Sequence, residues 1–453
     1  MRTQVDAAPT TTVAGRRIAL VTVCLGFALI QLDATIVNVA LPTVQHDLGG
    51  TLAGLQWTLN GYTVALAAFL LTAGSLADRL GGRRVFLCGL AVFCLGSAAC
   101  AAAAGLGTLI AARVVQGVGA AALLPASLAL LVHQFPGGAA RARALGVWGA
   151  VGSVGLASGP VLGGVVVADL SWRLIFLINV PVGIATAVLV RRTVTETPRR
   201  PGGIDPGGVL LGVASLAGVV AGFIEAGQAG WSGVWPTGLL AAGVVAGALF
   251  VVVERRVAAP MLPLRLFWSV RFSAATAVGL LFNLCLYGAL LCLSLYLQQS
   301  RGMSPLAAGL ALLPMTVVIG IGATMSGRLT ASHGPRRGMV TGMCVATVGA
   351  ALLALIGPGS PLALVVLGSM VLGLCSLTMP AMTAAVVGSV PAERAGLASG
   401  VLNASRQSGG ALGVALLGAL LNIGRSSGLH VALAVTAAGY AGAAGLSWLA
   451  TRD

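Results

Sequence analysis

Long apolar runs alternate with short polar segments along the whole chain, and this alternation is its dominant pattern. A helix that crosses a bilayer needs roughly 20 predominantly apolar residues, and the runs are of about that length. The pattern therefore predicts an all-α integral membrane protein with fourteen membrane-spanning helices. The predicted spans cover about residues 18–41, 54–77, 85–105, 107–132, 142–168, 171–191, 207–227, 235–253, 271–297, 305–329, 338–357, 361–388, 394–422 and 429–450.

The polar segments alternate in charge from one to the next. Those after even-numbered spans are basic, as in DRLGGRR at 78–84 and HGPRR at 333–337, whereas HDLGG at 46–50 and GPGS at 357–360 carry few charges. Because loops on the cytoplasmic side of a membrane carry the excess of Lys and Arg, we expect a multi-pass protein of the cell membrane with both termini in the cytoplasm.

The composition agrees with a membrane protein and argues against several other classes. Only 8% of the 453 residues are charged and 57% are hydrophobic, whereas soluble domains carry roughly a quarter charged residues. The net charge of +15 comes from loop arginines, so we expect no nucleic-acid partner. The chain has no Lys for a P-loop or a Schiff base, its eight Cys lie in apolar runs, and its four His are scattered. We therefore expect no metal, no cofactor and no enzymatic activity.

Two segments repeat each other at a constant offset. GSLADRLGGRR at 74–84 matches GRLTASHGPRR at 327–337, with Gly74 opposite Gly327 and Gly81 opposite Gly334. Duplicated halves around a site at the bilayer mid-plane are the usual build of a secondary transporter. The predicted boundaries are 1–17 for a cytoplasmic tail, 18–191 for an N-terminal six-helix half, 192–206 for a linker, 207–253 for two inserted helices, 254–270 for a second linker and 271–453 for a C-terminal six-helix half.

Several further motifs stand in the order that one known family has them. They are LDATIVNVALP at 32–42, GSLADRLGGRR at 74–84, LIAARVVQGVGAA at 109–121, GLASGPVLGG at 155–164, WRLIFLINVPVG at 172–183, PMLPLRLF at 260–267 and GLASGVLNASRQSGGALG at 396–413. With these motifs the chain resembles the major facilitator superfamily, in particular its fourteen-span drug:proton antiporters. The resemblance implies that family's fold, with two inserted helices, and proton-driven export. The chain departs from the pattern at Ala331, which stands where the first loop copy has Asp78.

The loop after span 2 admits two interpretations. In the first, its charges form an ion pair at the membrane edge that contributes little to stability. In the second, which the resemblance implies, they form a cytoplasmic latch whose charge contacts break when the transporter turns inward. Glycine in this segment allows close helix approach and a sharp turn. The predicted gate residues are Gly74, Asp78, Arg79, Gly81, Arg83 and Arg84.

Span 5 carries a run of small residues. Its glycines lie mainly on one half of the helix surface, which lets a neighbouring helix come near, and Pro160 removes an intrahelical hydrogen bond and favours a kink. Plain packing explains the pattern, and the resemblance adds a tight seam that blocks proton leak and permits rocking. The motif residues are Gly155, Gly159, Pro160, Gly163 and Gly164.

Asp33 lies inside an apolar span, where a carboxylate is costly unless it is paired or protonated. At 1.5 Å per residue, Asp33 of span 1 and Arg113 of span 4 lie at similar depth from the outer face, so they can pair directly or through water. The pair is either permanently inert or a proton-coupling site. In the second case a low dielectric favours the protonated acid and a nearby guanidinium favours the carboxylate, so that a change in their distance loads and unloads a proton. Glu225, near the outer end of span 7, either snorkels to the interface or takes part in coupling.

Polar and adaptable side chains on four spans are candidates for a substrate cavity. By resemblance, spans 1, 4, 9 and 12 line the central cavity, and Tyr, Met and Asn side chains suit a flat lipophilic ligand; simple helix packing would give the same stripes. The candidates are Gln31, Thr35, Asn38, Gln116, Asn283, Tyr287, Thr378, Met379 and Met382, with Leu286, Leu290 and Ser294 on the same face of span 9.

These patterns together lead us to expect a proton-coupled antiporter that exports lipophilic or cationic small molecules, such as drugs, antibiotics and dyes, by alternating access. Its partners would be protons, the substrate and the lipid bilayer, and it would function as a monomer. An exporter dedicated to one natural product fits equally well. The alternative is a proton-coupled carrier or exporter of a specific native metabolite, lipid or amino acid. GLASGPVLGG argues against a symporter, because the motif resembles that of antiporters.

Overall fold

The computed structural model describes residues 13–135, 138–199, 205–257, 260–357, 359–391, 394–422 and 427–451; parts of the predicted tail and linkers lie outside them. These residues form helices and no β-strand, so the predicted all-α fold is confirmed. The helices are α1 (Val13–Leu48), α2 (Leu52–Leu80), α3 (Gly82–Ala101), α4 (Leu106–Gln134), α5 (Gly138–Asp169), α6 (Leu174–Leu177), α7 (Asn179–Thr193), α8 (Pro206–Ala229), α9 (Val234–Arg256), α10 (Val270–Leu295), α11 (Pro305–His333), α12 (Pro335–Ala354), α13 (Leu362–Gly373), α14 (Met379–Gly388), α15 (Ala395–Leu421) and α16 (Ser427–Ala450).

Thirteen segments in the described part of the chain are long and apolar enough to cross a membrane. Two of them contain a break: α6 and α7 form the sixth segment, and α13 and α14 the twelfth. The remaining predicted span coincides with α15, which has 27 residues but includes the polar stretch Asn403–Gln407. The protein is therefore a multi-pass membrane protein built of 13 to 14 spans.

The same pattern of helix packing occurs twice. In the first part of the chain α1 packs on α5, α2 on α4, and α3 on α4; in the last part α10 packs on α15, α11 on α13, and α12 on α13. Each set surrounds its own apolar core, one centred on Phe86 and Phe93 and the other on Phe282 and Met343. A duplicated six-helix unit produces such pairings, while the exact domain boundaries stay a prediction.

Two helix pairs join the halves: α5 packs on α11, and α2 packs on α15. The inserted helices α8 and α9 pack on each other, and α8 also rests against α2 and α15. Few residues of α9 are buried, and Val234 and Trp235 at its start are 87% and 79% exposed. This helix therefore presents most of its apolar surface outward, as a lipid-facing helix does.

Two helices differ from their predicted course. Span 1 was expected to end at residue 41, but α1 runs through Pro42 to Leu48, so the proline lies inside the helix. Span 12 was expected to be continuous, but a 3₁₀ turn at Leu374–Thr378 separates α13 from α14. A 3₁₀ turn advances about 120° per residue instead of 100°. Five such residues turn the following face by about 100°, so Met379 and Met382 no longer continue the face of α13.

Candidate functional site

An ion pair lies in the interior of the N-terminal half. Asp33 of α1 is 0% exposed and Arg113 of α4 is 1% exposed, and Arg113 Nη1 donates to Asp33 Oδ2 over 2.5 Å. The predicted pairing is therefore present as a direct contact. Since the desolvation of two charges is costly, such a pair requires further hydrogen bonds to its remaining polar atoms.

Three neutral side chains provide those hydrogen bonds. Gln116, one turn after Arg113, accepts from Arg113 Nη1 at 2.6 Å and donates to Asp33 Oδ1 at 2.8 Å. Asn179 Nδ2, at the start of α7, donates to the same Oδ1 at 3.2 Å. Ser97 Oγ of α3 accepts from both amides, at 2.7 and 3.3 Å. Asp33 thus accepts hydrogen bonds from the Arg113 guanidinium and from the amides of Gln116 and Asn179. The whole network joins α1, α3, α4 and α7.

Ser97 and Asn179 were not among the sequence candidates. Asn179 is a polar residue within WRLIFLINVPVG, and Ser97 lies in the apolar run of α3. Each was visible as an isolated polar residue, but only the rotation of α3 and α7 against α1 shows that Asn179 donates to Asp33 and that Ser97 accepts from the two amides around it. Both are buried, with 0% exposure for Ser97 and 1% for Asn179.

Arg113 also reaches the centre of the molecule. Its Nε donates to the carbonyl of Thr58 at 3.1 Å, and its guanidinium carbon lies 4.3 Å from the centre of the Tyr62 ring. Arg113, Tyr62 and Asn38 line a cavity of about 10 Å³, which also meets Tyr287 of the C-terminal half. That volume is about what one water molecule requires. Arg113 therefore connects the buried carboxylate with the space between the halves.

A second cavity of about 10 Å³ lies on another side of Tyr287. Its wall includes Thr35 of α1, Leu286 and Leu290 of α10, and Thr316 of α11. Tyr287 is the residue common to both cavities, so its ring divides the small space between the two halves.

The other cavity candidates have different surroundings. Gln116 belongs to the Asp33 network and lines neither described cavity. Thr378 donates to the carbonyl of Met339 on α12, and Met382 is a fully buried core residue. Gln31 and Met379 are half-buried and lie outside both cavity walls. Asn283 is 2% exposed and is discussed below. Of the nine candidates, Thr35, Asn38 and Tyr287 line the described cavities; the role of each stays a prediction.

Glu225 is half-buried on α8 and forms no ion pair with a described residue. Its carboxylate belongs to neither cavity wall.

The halves are joined at the end that carries the α1–α2 connection, which we call the α1–α2 end. Ser294 Oγ of α10 donates to the carbonyl of Asn38 at 2.9 Å, and Gln298 Nε2 donates to the carbonyl of Val39 at 3.2 Å. Gln56 Nε2 of α2 donates to the carbonyls of Val414 and Ala415 of α15, both at 3.2 Å.

The glycine motif of α5 contacts both α1 and α11. A Cβ on Gly155 would lie 2.7 Å from the carbonyl oxygen of Ala28, and a Cβ on Gly163 would lie 2.9 Å from that of Ile36. A Cβ on Gly164 would lie 2.8 Å from Leu306 Cα of α11. Gly159 packs equally closely on Thr35 and Ile36, and Pro160 packs on Gly309 of α11. The carbonyl of Leu156, which Pro160 leaves without its helical donor, accepts from Thr35 Oγ1 at 3.0 Å.

Helices α5 and α11 separate toward their opposite end. Gly146 precedes Gly164 by 18 residues, or five full turns, and so shares its face, yet a Cβ there would meet nothing within 4 Å. On α11, Gly327 follows Gly309 by the same 18 residues and a Cβ there would also meet nothing. The two helices are thus in contact at the α1–α2 end and apart at the end that carries the α2–α3 loop.

The α2–α3 loop is held by a segment that follows α7. Glu196 accepts from the backbone N–H of Arg83 at 2.8 Å, and Thr197 Oγ1 accepts from that of Gly82 at 2.7 Å. These two side chains satisfy first-turn donors of α3, and Gly81 makes the turn with φ +102°. The sequence did not reveal this cap.

Two of the four predicted gate charges contact this capping segment. Arg83 Nη1 donates to the carbonyl of Val194 at 3.2 Å and Arg84 Nε lies 3.9 Å from Glu196 Oε2, whereas Asp78 and Arg79 are exposed. Gly74 packs loosely on Pro125, since a Cβ on it would lie 3.7 Å away.

Two similar groups of helices, joined at one end around a small central space, with a buried ion pair inside the first group, have the build of a membrane transporter. The major facilitator superfamily model matches residues 23–414 and again 276–452, and the chain belongs to that superfamily. It is a transporter and not an enzyme.

Several relatives are antibiotic resistance proteins. The chain is 38% identical over 436 residues to the methylenomycin A resistance protein of Bacillus subtilis, covering 95% of this chain and 93% of that protein. It is also 38% identical to the tetracenomycin C resistance and export protein of Streptomyces glaucescens, covering 89% of this chain and 75% of that protein. A crystal structure of a bacterial homologue of the human lysosomal transporter Spinster has a TM-score of 0.68 at 18% identity, covering 97% of each chain. That last likeness supports the fold alone.

Proposed function

We propose that this chain is a proton-coupled antiporter that exports lipophilic small molecules, such as antibiotics and dyes, by alternating access. The similarity to resistance and export proteins supports the direction and the substrate class. The observation that carries proton coupling is the buried Asp33 carboxylate, 2.5 Å from Arg113, because Arg113 also lines the central space.

Proton binding at Asp33 would change the wall of the central space. A neutral carboxyl group no longer attracts the guanidinium by charge, so Arg113 would move away from Asp33 and further into the cavity that it already lines. Gln116 and Asn179 can still hydrogen-bond to a carboxyl group, so the network would reorganise without leaving a buried charge on Asp33. In the reverse step, Arg113 returns to Asp33 and favours release of the proton.

The basic loops lead us to place both termini in the cytoplasm of a bacterial cell. The α1–α2 end is then the outer end, and the separated ends of α5 and α11 face inward. The described conformation would therefore be the inward-facing state. In this state Asp78 is exposed, which fits a latch that engages only when the inner ends come together.

The substrate would occupy the space around Tyr287 as the halves move apart. Thr35 and Asn38 of α1 face Tyr287, Leu286 and Leu290 of α10 across that space. The close α1–α5–α11 packing at the glycine motif would keep protons from leaking past it. Since one chain contains both halves and the ion pair, we propose that a monomer is sufficient for transport.

An exporter of this kind can be tested in everted membrane vesicles. A proton gradient with the vesicle interior acidic should drive accumulation of an exported dye inside the vesicles. Collapse of this gradient with an uncoupler should stop the accumulation. A compound panel in a host lacking its own pumps should show raised resistance to lipophilic antibiotics. If resistance were unchanged for every compound, the proposal of drug export would fail, and a native metabolite would become the candidate substrate.

A further inference from the structure

Arg406 lies in the middle of the membrane-spanning helix α15 and forms no ion pair with a described residue. It stands 11 residues after the start of α15, about 16 Å along the helix, and its side chain is half-buried. No ion pair or hydrogen bond joins its guanidinium to any described residue, and its Nε is buried without a partner. Arg113 of α4, by contrast, has both Asp33 and Gln116 as partners.

The surroundings of Arg406 belong to the inner wall of the C-terminal half. A Cβ on Gly279 of α10 would lie 3.2 Å from Arg406 Cγ, so the absence of a side chain there leaves room for the arginine stem. The guanidinium carbon lies 5.7 Å from the centre of the Phe282 ring. Gly410, one turn after Arg406 on α15, packs on the Tyr287 ring, because a Cβ on it would lie 3.3 Å from Tyr287 Cδ2, and Tyr287 lines both central cavities. Arg406 therefore lies one helical turn from the part of α15 that contacts the wall of the proposed substrate space.

A second polar group nearby also lacks a partner. Asn283, one turn beyond Gly279 on α10, is 2% exposed, and its Oδ1 is buried without a hydrogen bond to any described atom. Buried polar atoms are rarely left unpaired, and two of them, Arg406 Nε and Asn283 Oδ1, lie on helices in direct contact. One of these groups is a donor and the other an acceptor, so both are available to a polar ligand between these helices.

The charge of the central space decides which ligand fits. The side chains that line the two cavities include no carboxylate, and the charge of Asp33 is already matched by Arg113. Arg406 thus leaves the space with an uncompensated positive charge in a low dielectric, where it acts strongly. A guanidinium offers donors only, in a planar fork that matches a carboxylate.

We propose that Arg406 binds the carboxylate of an anionic, otherwise lipophilic substrate, with Asn283 accepting a hydrogen bond from the same molecule or from the guanidinium. The inference rests on the proposed export function and narrows its substrate class. It favours acids over the cationic compounds that the sequence also allowed. A permanent cation would meet Arg406 without a carboxylate to offset the repulsion.

A matched pair of dyes tests the inference directly. Rhodamine 110 and rhodamine 123 share the same cationic ring system, and they differ in that rhodamine 110 carries a free carboxylate whereas rhodamine 123 is its methyl ester, so the pair isolates the contribution of the carboxylate. Binding is measured by fluorescence anisotropy with the purified protein in lipid nanodiscs, without a proton gradient. We expect the wild type to bind the acid about tenfold to a hundredfold more tightly, the range of one charge-assisted contact.

Three variants separate charge from folding. Arg406→Gln should lose the preference for the acid, and Arg406→Lys should retain part of it because the charge remains. Arg328→Gln, which removes an exposed arginine of α11, should leave the preference unchanged. Equal binding of the two dyes by the wild type, absence of binding by the acid, or an unchanged preference in Arg406→Gln would each overturn the inference. Because this assay measures binding and not transport, a failure of the inference can be distinguished from a failure of export or of proton coupling in vesicles.

Discussion

Ser294 of α10 donates a hydrogen bond of 2.9 Å to the carbonyl of Asn38 of α1, an acceptor that has no helical donor because Pro42 follows four residues later. The proline thus exposes a strong acceptor on one half, and the serine of the other half occupies it. Thr35 uses the carbonyl that Pro160 leaves free on α5 in the same way. Each of the two prolines therefore leaves a carbonyl that accepts a hydrogen bond from a neighbouring helix. Because the free carbonyl of Asn38 is satisfied in this way, α1 continues past Pro42.

Ser294→Ala should weaken the closed α1–α2 end. A hydrogen bond contributes about 1 kcal/mol net, so the population with that end open should rise about fivefold. Spin labels at His46 and Ser300, both exposed near this end, would report the distance between the halves. Double electron–electron resonance in a cysteine-free background measures this distance. Ser369→Ala, which removes a hydrogen bond within α13 only, is the control. Identical distance distributions for Ser294→Ala and the control would contradict the role of this contact.

Removal of one partner of the buried ion pair should be worse than removal of both. Arg113→Leu leaves the Asp33 carboxylate buried without a counter-charge, which costs about 3–5 kcal/mol. The double variant Asp33→Asn/Arg113→Leu carries no buried charge at this position and should regain much of that loss. Thermal unfolding of the detergent-purified proteins measures the cycle. If the losses of thermal stability in Asp33→Asn and in Arg113→Leu simply added up in the double variant, the two charges would not interact.

Gly146 should matter for movement but not for the described conformation. A Cβ there meets nothing within 4 Å, so Gly146→Leu should leave thermal stability nearly unchanged. When the separated ends of α5 and α11 approach each other, the leucine would lie between them and hold them apart. Substrate binding should therefore persist while the transport rate falls at least tenfold.

Gly238→Leu is a matched control for Gly146→Leu, because Gly238 of α9 also has open space around a Cβ but lies in the inserted pair. A normal transport rate in Gly146→Leu would argue against closure of these helix ends during the cycle.

Glu196 should stabilise the loop between α2 and α3. Glu196→Ala removes an acceptor for the N–H of Arg83 and a negative charge near the N-terminus of α3, together worth about 1 kcal/mol. Hydrogen exchange of the amides at residues 82–84 should become about fivefold faster, while Glu196→Gln, which keeps an acceptor oxygen, should have a smaller effect. Unchanged exchange in Glu196→Ala would mean that the loop is held by other contacts.

The sequence predicted most of the helices and one central contact. Span lengths follow from hydropathy alone, and the pairing of Asp33 with Arg113 follows from depth along two antiparallel helices. Depth does not determine rotation, however, so the contributions of Ser97 and Asn179 to this network required the structure.

The substrate candidates show the same limit. Gln116 shares a face with Arg113, as expected from helical spacing, but its amide donates to Asp33 and, unlike Arg113, it lines neither described cavity. Thr378 lies in the 3₁₀ turn that rotates the second part of span 12, and its hydroxyl bonds to α12. Asn38 and Tyr287 line a cavity of about 10 Å³ between the halves, while their contact with substrate stays a prediction. A helical wheel is therefore informative only while the helix stays regular.

The central claim is that Asp33 carries the proton that drives export. Its most direct test is proton movement on addition of substrate to everted vesicles or proteoliposomes containing Asp33→Asn, compared with the wild type at equal protein amount and equal substrate binding. The account predicts that substrate releases protons in the wild type and that this release is lost in Asp33→Asn, whose amide cannot titrate, together with gradient-driven accumulation. Full proton-driven transport by Asp33→Asn would contradict the account.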